Sequence, residues 1–399
     1  MAQTLSVDRS QPRPLVLSIG YFVGFVALGL AYAALGPTLA DLAANVGTDL
    51  TRISYVLSAR GLGYLVGSLV GGRLYDRRWG NPLMAGALLC AAVVMVAVPT
   101  IPVLWLLVSV VFVLGFFLGV VDLGGNTLLV WLHGEGVDPY MNALHFFFGI
   151  GAFLSPVVIA QAVSRTGDIT PGYWVLAALL VPVAVWLGRL PSPQAAPERE
   201  EHVDGTPEGR AGLVVLIAVF FFLYVGAEAG FGGWIATYAR TTGVGDAVTA
   251  AYLTSAFWGA MTVGRLLAVP ISARYAPRYV LAADLVGALV SVVVLAIWPG
   301  NPAATWIGTI GAGLSIASLF PTALSLAEKR MRITGSVNSA FFVGASLGGM
   351  SIPWLIGQLL GNAGPRVMAL VIAGAVLVDI VVLVLILAWG QPAREVTDG

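Results

Sequence analysis

Residues Pro191 to Arg210 read PSPQAAPEREEHVDGTPEGR, the longest polar break in a chain of 399 residues. Rich in Pro, Gly and Glu, this stretch cannot bury a core and reads as a linker. On either side of it the chain is strongly apolar: 58% of all residues are hydrophobic, 10% are charged and the mean hydropathy is +0.90. A water-soluble domain covers its surface with about 25% charged residues, so an ordinary soluble enzyme is excluded. The 20 basic and 20 acidic residues cancel, and Lys329 is the single lysine, which leaves no basic patch for nucleic acid. Cys90 is the single cysteine. It excludes a disulfide scaffold and a cysteine-based zinc site, and inside its apolar run it reads as buried packing.

A helix needs about 20 mostly apolar residues to cross a bilayer. Six such runs precede the linker, at 15–42, 52–72, 81–98, 103–131, 139–163 and 172–189. Six follow it, at 212–238, 248–270, 279–297, 303–327, 335–360 and 366–389. The predicted fold class is therefore an all-α membrane protein with twelve transmembrane helices in two six-helix halves. The halves are 1–190 and 212–399, joined by 191–211. The first run has full membrane length and no short apolar core with a cleavage site, so it reads as a retained anchor.

Fourteen of the 20 basic residues fall on one side of this topology: Arg9, Arg13, Arg73, Arg77, Arg78, Arg189, Arg199, Arg210, Arg274, Arg278, Lys329, Arg330, Arg332 and Arg394. Basic loops stay in the cytoplasm, which puts both termini and the linker there and makes the plasma (inner) membrane the expected location. Arg60 and Arg265 fall inside spans.

The halves repeat at an offset of 196 to 197 residues. Gly67 then falls on Gly264, Arg77 on Arg274, Pro156 on Pro353 and Asn142 on Asn338. Paired halves with a site between them at the midplane are a transporter plan. Two acids escape the repeat. Asp122 in the fourth span has Ser318 opposite it, and Glu228 in the seventh has no acidic counterpart near Ala31.

These acids and their neighbours are the candidate site. An ionised carboxylate facing lipid costs at least about 2.5 kcal/mol, so Asp122 is expected to face a polar cavity or carry a proton. Asn126 lies one turn on, sharing its face. In the fifth span Asn142 and His145 share a face. His145 has no further ligand at metal spacing, so zinc is a poor reading. The seventh span reads Tyr224-Val-Gly-Ala-Glu228-Ala-Gly-Phe-Gly-Gly-Trp234. Its glycines loosen the helix, and Trp234 offers an aromatic face to a substrate. Asn338 and Gln358 can bind hydroxyls, and Trp258 and Trp354 can stack. Asp284 and Asp379 are also intramembrane, but they belong to the peripheral ninth and twelfth spans. P-loop, nucleophile-elbow and zinc-protease motifs are absent, which argues against an enzyme and against ATP as the energy source.

After the second span, GGRLYDRRWGN (Gly71 to Asn81) resembles the loop between helices 2 and 3 of the major facilitator superfamily. That resemblance implies a gate in which Asp76 pairs with an Arg of its own half, Arg77 included, with Arg274 at the related position of the second half. The segment Asp122-Leu-Gly-Gly-Asn126, with Pro139-Tyr140-Met-Asn142-Ala-Leu-His145, Pro156, the Tyr224–Trp234 segment and Leu319-Phe-Pro321-Thr-Ala-Leu-Ser325, is similar to the fucose permease and sodium-dependent glucose transporter-like branch. The similarity implies alternating access and cation-linked uptake of a sugar. In that branch acids in helices 1 and 4 serve coupling and sugar binding, and Asp122 matches the second of these. The first span has only Asp41, at its far end, so Glu228 is the substitute.

The resulting expectation is a symporter of a monosaccharide coupled to protons or sodium, with no cofactor beyond that cation and with the lipid bilayer and a small molecule as its partners. Asp122 and Glu228 would serve the cation. Asn126, Asn142, His145, Glu228, Trp234, Asn338 and Gln358 would bind the sugar. The competing expectation is a proton-coupled exporter of amphipathic drugs or lipids, and a non-transporting receptor is the third.

Overall fold

The computed structural model describes residues 14–77, 79–193, 211–331 and 333–389. Most of the predicted linker, together with Arg9, Arg13, Arg78, Arg199, Arg210, Arg332 and Arg394, lies outside them. Among the described residues the chain is helical without strands. In chain order the helices are α1 (Pro14–Tyr32), α2 (Leu35–Asn45), α3 (Leu50–Tyr75), α4 (Gly80–Ala97), α5 (Leu104–His133), α6 (Asp138–Thr166) and α7 (Thr170–Arg189). Then follow α8 (Ala211–Thr241), α9 (Ala247–Ser272), α10 (Pro277–Ile297), α11 (Pro302–Ile316), α12 (Leu319–Glu328), α13 (Gly335–Ala363) and α14 (Arg366–Ala388).

Two predicted spans are broken. The first divides at Ala33 and Ala34 into α1 and α2, the tenth at Ala317 and Ser318 into α11 and α12. Each break lies four residues before a proline, Pro37 or Pro321. A proline cannot donate to the carbonyl four residues back and its ring crowds that carbonyl. Counting each broken pair as one gives twelve spans. Eleven are long and apolar enough to cross a membrane. The remaining one, α9, is 26 residues long and more polar because Ser255, Thr262 and Arg265 are turned to α6 rather than to lipid.

The twofold repeat of six spans is explicit in the helix ends. α9 begins and ends 197 residues after α3, and α13 begins and ends 197 residues after α6. Even the caps repeat: Asp49 accepts from Arg52 N at 2.7 Å and Asp246 from Thr249 N at 2.8 Å.

The side on which α1 begins is called near, the opposite one far. Exposed Trp79, Tyr275, Tyr279 and Trp389 ring the near ends of the helices and Trp105, Trp174 and Trp298 the far ends, as amphipathic aromatic rings do at the two faces of a bilayer. Cys90 is exposed on α4, beside exposed Leu89 and Val93, and not packed inside as expected. In a membrane protein the lipid-facing surface is as apolar as the core, so hydropathy does not separate them.

The halves meet through α3 with α13, α6 with α9, and α2 with α8 and α9. Between α3 and α13, contacts run from Gly61 and Met350 at mid-helix toward the far ends. Ser58 donates to Met350 O at 3.2 Å, and Gln358 donates to Thr51 O at 3.2 Å and to Ser54 Oγ at 3.1 Å. The one ion pair among the described residues joins the halves on that same side, Arg240 Nη1 to Asp41 Oδ2 at 2.8 Å. Near-side α13 packs instead on α8 of its own half, Gly344 against Ala218 and Gly348 against Phe222. The halves are thus sealed at the far side and parted at the near side.

Candidate transport cavity

The seam between α3 and α5 positions the first group of charges. A Cβ on Gly67 would overlap the Phe116 carbonyl, and one on Gly119 the Tyr64 carbonyl. Glycine therefore lets the two backbones touch, as small residues do between membrane helices. This rigid pair carries Arg60 and Tyr64, one turn apart on α3, and Asp122 and Asn126, one turn apart on α5. The Tyr64 hydroxyl lies within electrostatic reach of the Asp122 carboxylate. Asn126 Nδ2 donates to Asp122 O at 2.8 Å and stands 3.4 Å from Oδ1. Among the described residues no cation lies within 4.0 Å of Asp122.

Arg60 is 7% exposed. Its Nη1 donates to Tyr32 O at 3.0 Å, and its guanidinium lies 4.1 Å above the centre of the Tyr32 ring. Tyr32 ends α1 at the break, where a carbonyl lacks a helical partner. A guanidinium there satisfies it and opposes the negative end of the helix. The Tyr32 ring stands edge-on to Tyr64 at 6.4 Å, Phe148 at 5.7 Å and Trp258 at 5.9 Å. Trp258 comes from the second half, so these rings form a floor across both halves beneath the far-side seal.

The second group of charges faces the first. Arg265 of α9 donates from Nη1 to His145 O of α6 at 3.2 Å and contacts Met261 Sδ at 3.6 Å. Tyr224 and Glu228, one turn apart on α8, lie within electrostatic reach of Arg265, and Tyr224 also of Tyr32. His145 sits edge-on to Phe25 of α1 at 6.0 Å. Although at the junction of the halves it is exposed, because it borders the near-side opening. The Tyr32 ring thus stands between Tyr64, beside Asp122 and Asn126, in the first half and Tyr224, Glu228 and Arg265 in the second, and Arg265 reaches the His145 carbonyl. Asn142 and Asn338 lie in the first turns of α6 and α13, at the near-side opening.

Two expectations are corrected. Trp234 is 0% exposed and its indole N–H is taken by Pro353 O at 2.8 Å, so it packs α8 on α13 and presents no wall to a substrate. Gln358 belongs to the far-side seal. Asp76, Arg77 and Arg274 are exposed at the near mouth, with no ion pair among the described residues. The halves are parted there, whereas the expected Asp76 pairing belongs to the arrangement closed on this side; the ion pair present is Asp41–Arg240 at the other end.

Sequence reasoning passed over Tyr32 and Tyr64 and noted Arg60 and Arg265 only as lying inside spans. The signal was available for the two arginines: an arginine inside an apolar span is rare and lines a bundle interior or cavity. Nothing in the sequence distinguished Tyr32 and Tyr64 from the other tyrosines.

The family profile described as Major Facilitator Superfamily matches residues 21–353. The chain belongs to the Major Facilitator Superfamily. Within it, the human protein named sodium-dependent glucose transporter 1 is 31% identical over 374 residues, spanning 85% of this chain and 72% of the relative. The mouse sodium-dependent glucose transporter 1A is 31% identical over 378 residues, spanning 86% and 89%. The crystal structure of the nucleoside transporter NupG superposes with a TM-score of 0.69 at 15% identity, covering 94% of this chain and 99% of that one. At that identity the likeness is one of fold. The major facilitator architecture, an integral membrane protein built for secondary transport, is thus established for this chain.

Proposed function

We propose that this protein carries a monosaccharide by alternating access, as a symporter coupled to protons or sodium. The observation that carries the reading is the pair of intramembrane acids, Asp122 and Glu228, one in each half, neither in an ion pair within 4.0 Å among the described residues, beside a cluster of aromatic rings drawn from both halves. Tyr64, Asn126 and His145 supply hydroxyl-binding groups. Asn142 and Asn338 line the entry, and Tyr32 and Trp258 supply an apolar surface for a sugar ring. The printed names of the relatives, sodium-dependent glucose transporters, support a sugar. In this reading residues 1–190 and 212–399 rock about the cavity, with 191–211 joining them. The near side is cytoplasmic by its excess of arginine, and no chemical step is performed on the cargo.

The test is uptake of labelled hexoses into proteoliposomes under an imposed proton or sodium gradient. Accumulation above equilibrium is the expected result. Proton-driven efflux of a lipophilic cation with no sugar accumulation would replace the symporter by the exporter.

A further inference from the structure

Arg60 is a buried cation to which the transport reading gives no task. It stands in the middle of α3, 7% exposed, and among the described residues it belongs to no ion pair. A guanidinium in a membrane interior is stable only with close partners. Its side-chain contacts among the described residues fall on a single residue of another helix: Nη1 donates to Tyr32 O at 3.0 Å, and the guanidinium lies 4.1 Å from the centre of the Tyr32 ring. Backbone contacts fix both partners. A Cβ on Gly115 would overlap the Arg60 carbonyl, and one on Gly29 the Phe148 carbonyl. So α3 rests on α5 at Arg60, and α1 rests on α6 just before Tyr32. Beyond these anchors α1 stops at Tyr32 and α2 starts at Leu35, the Ala33 carbonyl having lost its donor to Pro37.

The repeat supplies an internal comparison. At the offset of 197, Arg60 corresponds to Phe257, and the segment from Ala33 to Pro37 corresponds to Gly230 to Trp234, inside α8, which runs unbroken from Ala211 to Thr241. There Phe257 stacks on Phe231 of α8 with ring centres 4.7 Å apart. The continuous helix is met by a phenylalanine. The broken one is met by an arginine that bonds the carbonyl at the break.

Tyr32 connects this junction to the cargo. Its side chain is half-buried, and its ring stands edge-on to Tyr64 of α3, Phe148 of α6 and, in the other half, Trp258 of α9. Those rings meet only while the end of α1 keeps its height and tilt. We propose that Arg60 is a positioning residue for cargo binding: it grips the carbonyl and the ring of Tyr32 together, fixes the bend between α1 and α2, and so sets the ring that the cargo meets. The bond to the carbonyl stops the end of α1 from sliding, and the flat guanidinium stops the ring from turning. Lysine can supply the first and not the second. The inference deepens the proposed transport function and rests on it for the role of Tyr32 toward the cargo.

The test uses the full chain in lipid, with fluorine-labelled tyrosine as the spectroscopic probe and D-glucose as the transported one. The fluorine resonance missing from Tyr32→Phe belongs to Tyr32. It should shift and broaden in Arg60→Gln, which removes the charge and shortens the reach. It should do so as well in Arg60→Lys, which keeps a cation for the buried site and is therefore expected to fold. A Tyr32 resonance unmoved in Arg60→Lys would overturn the proposal. In counterflow, Arg60→Gln should raise the half-saturation concentration for D-glucose roughly tenfold while the maximal rate stays within about twofold of wild type, and Arg60→Lys should fall between the two. An arginine that only supports the fold would instead lower the amount of active protein, and with it the maximal rate, at an unchanged half-saturation concentration; that result would also overturn it. If wild-type protein carries no D-glucose, the sugar reading fails, and the fluorine resonance alone decides whether Arg60 sets the Tyr32 ring.

Discussion

Asp122 is held by Asn126 and neighboured by Tyr64, both neutral. A carboxylate supported in this way can exchange a cation without dismantling a salt bridge. Asp122→Asn keeps the shape and hydrogen-bonding reach of the side chain while removing its charge. Uphill accumulation in proteoliposomes is expected to disappear while counterflow continues, and full concentrative uptake would remove Asp122 from coupling. Trp234 makes the opposite case. Trp234→Phe deletes the bond to Pro353 O, worth about 1 kcal/mol, so the melting temperature should fall while the affinity for cargo is retained. Weakened cargo binding with unchanged stability would restore Trp234 to the cavity. Residue type singled out the acids, because a charge inside a membrane has few alternatives to the interior of the bundle. It misplaced Trp234, because an indole is equally at home against a cargo, a helix or lipid.

At the scale of the element, helix length and termini follow from local chemistry. Asp246 caps α9 in the same way that Asp49 caps α3. Its hydrogen bonds from the Thr249 backbone N–H and side chain hold the Asp246 carboxyl below the ordinary aspartate range. A depressed native value means that the ionised cap stabilises the fold above the unfolded value of about 3.9 and loses that contribution as pH falls through the native one. Asp246→Ala should therefore cost about 1 kcal/mol near neutral pH. The loss should shrink as pH falls below about 4; thermal melts of both proteins across that range measure it, and a pH-independent difference would deny the ionised cap its role. The two broken spans were legible in principle from Pro37 and Pro321. Hydropathy joined the pieces because it averages over the residues at the break. The polar face of α9 was the converse, a span whose low hydropathy is explained only by its neighbour α6.

For the whole molecule the decisive feature is that the far side is shut and the near side open. Built onto Gly61, a Cβ would lie 3.5 Å from the Met350 Cβ, inside the range of about 3.5 to 4.5 Å spanned by disulfides. Gly61→Cys with Met350→Cys, in a Cys90→Ala background, should oxidise readily, lock the far side and stop transport, with recovery on reduction. Unimpaired transport by the oxidised protein would mean that α3 and α13 need not separate there. The number of spans, their division into halves and the repeat could all be read from the sequence. A bilayer demands runs of a certain length, and an ancestral duplication leaves its spacing behind. At an offset of 197, Arg60 falls on Phe257 and His145 on Phe342, so the charges that line the cavity stand out as departures from a repeated scaffold. Tertiary structure alone decided which of those departures meet, that Arg60 closes the end of α1 over Tyr32 and which side is open. Each depends on how helices far apart in the chain are rotated and tilted against one another, and apolar side chains permit many such arrangements until backbone contact at glycines and a few polar bonds select one.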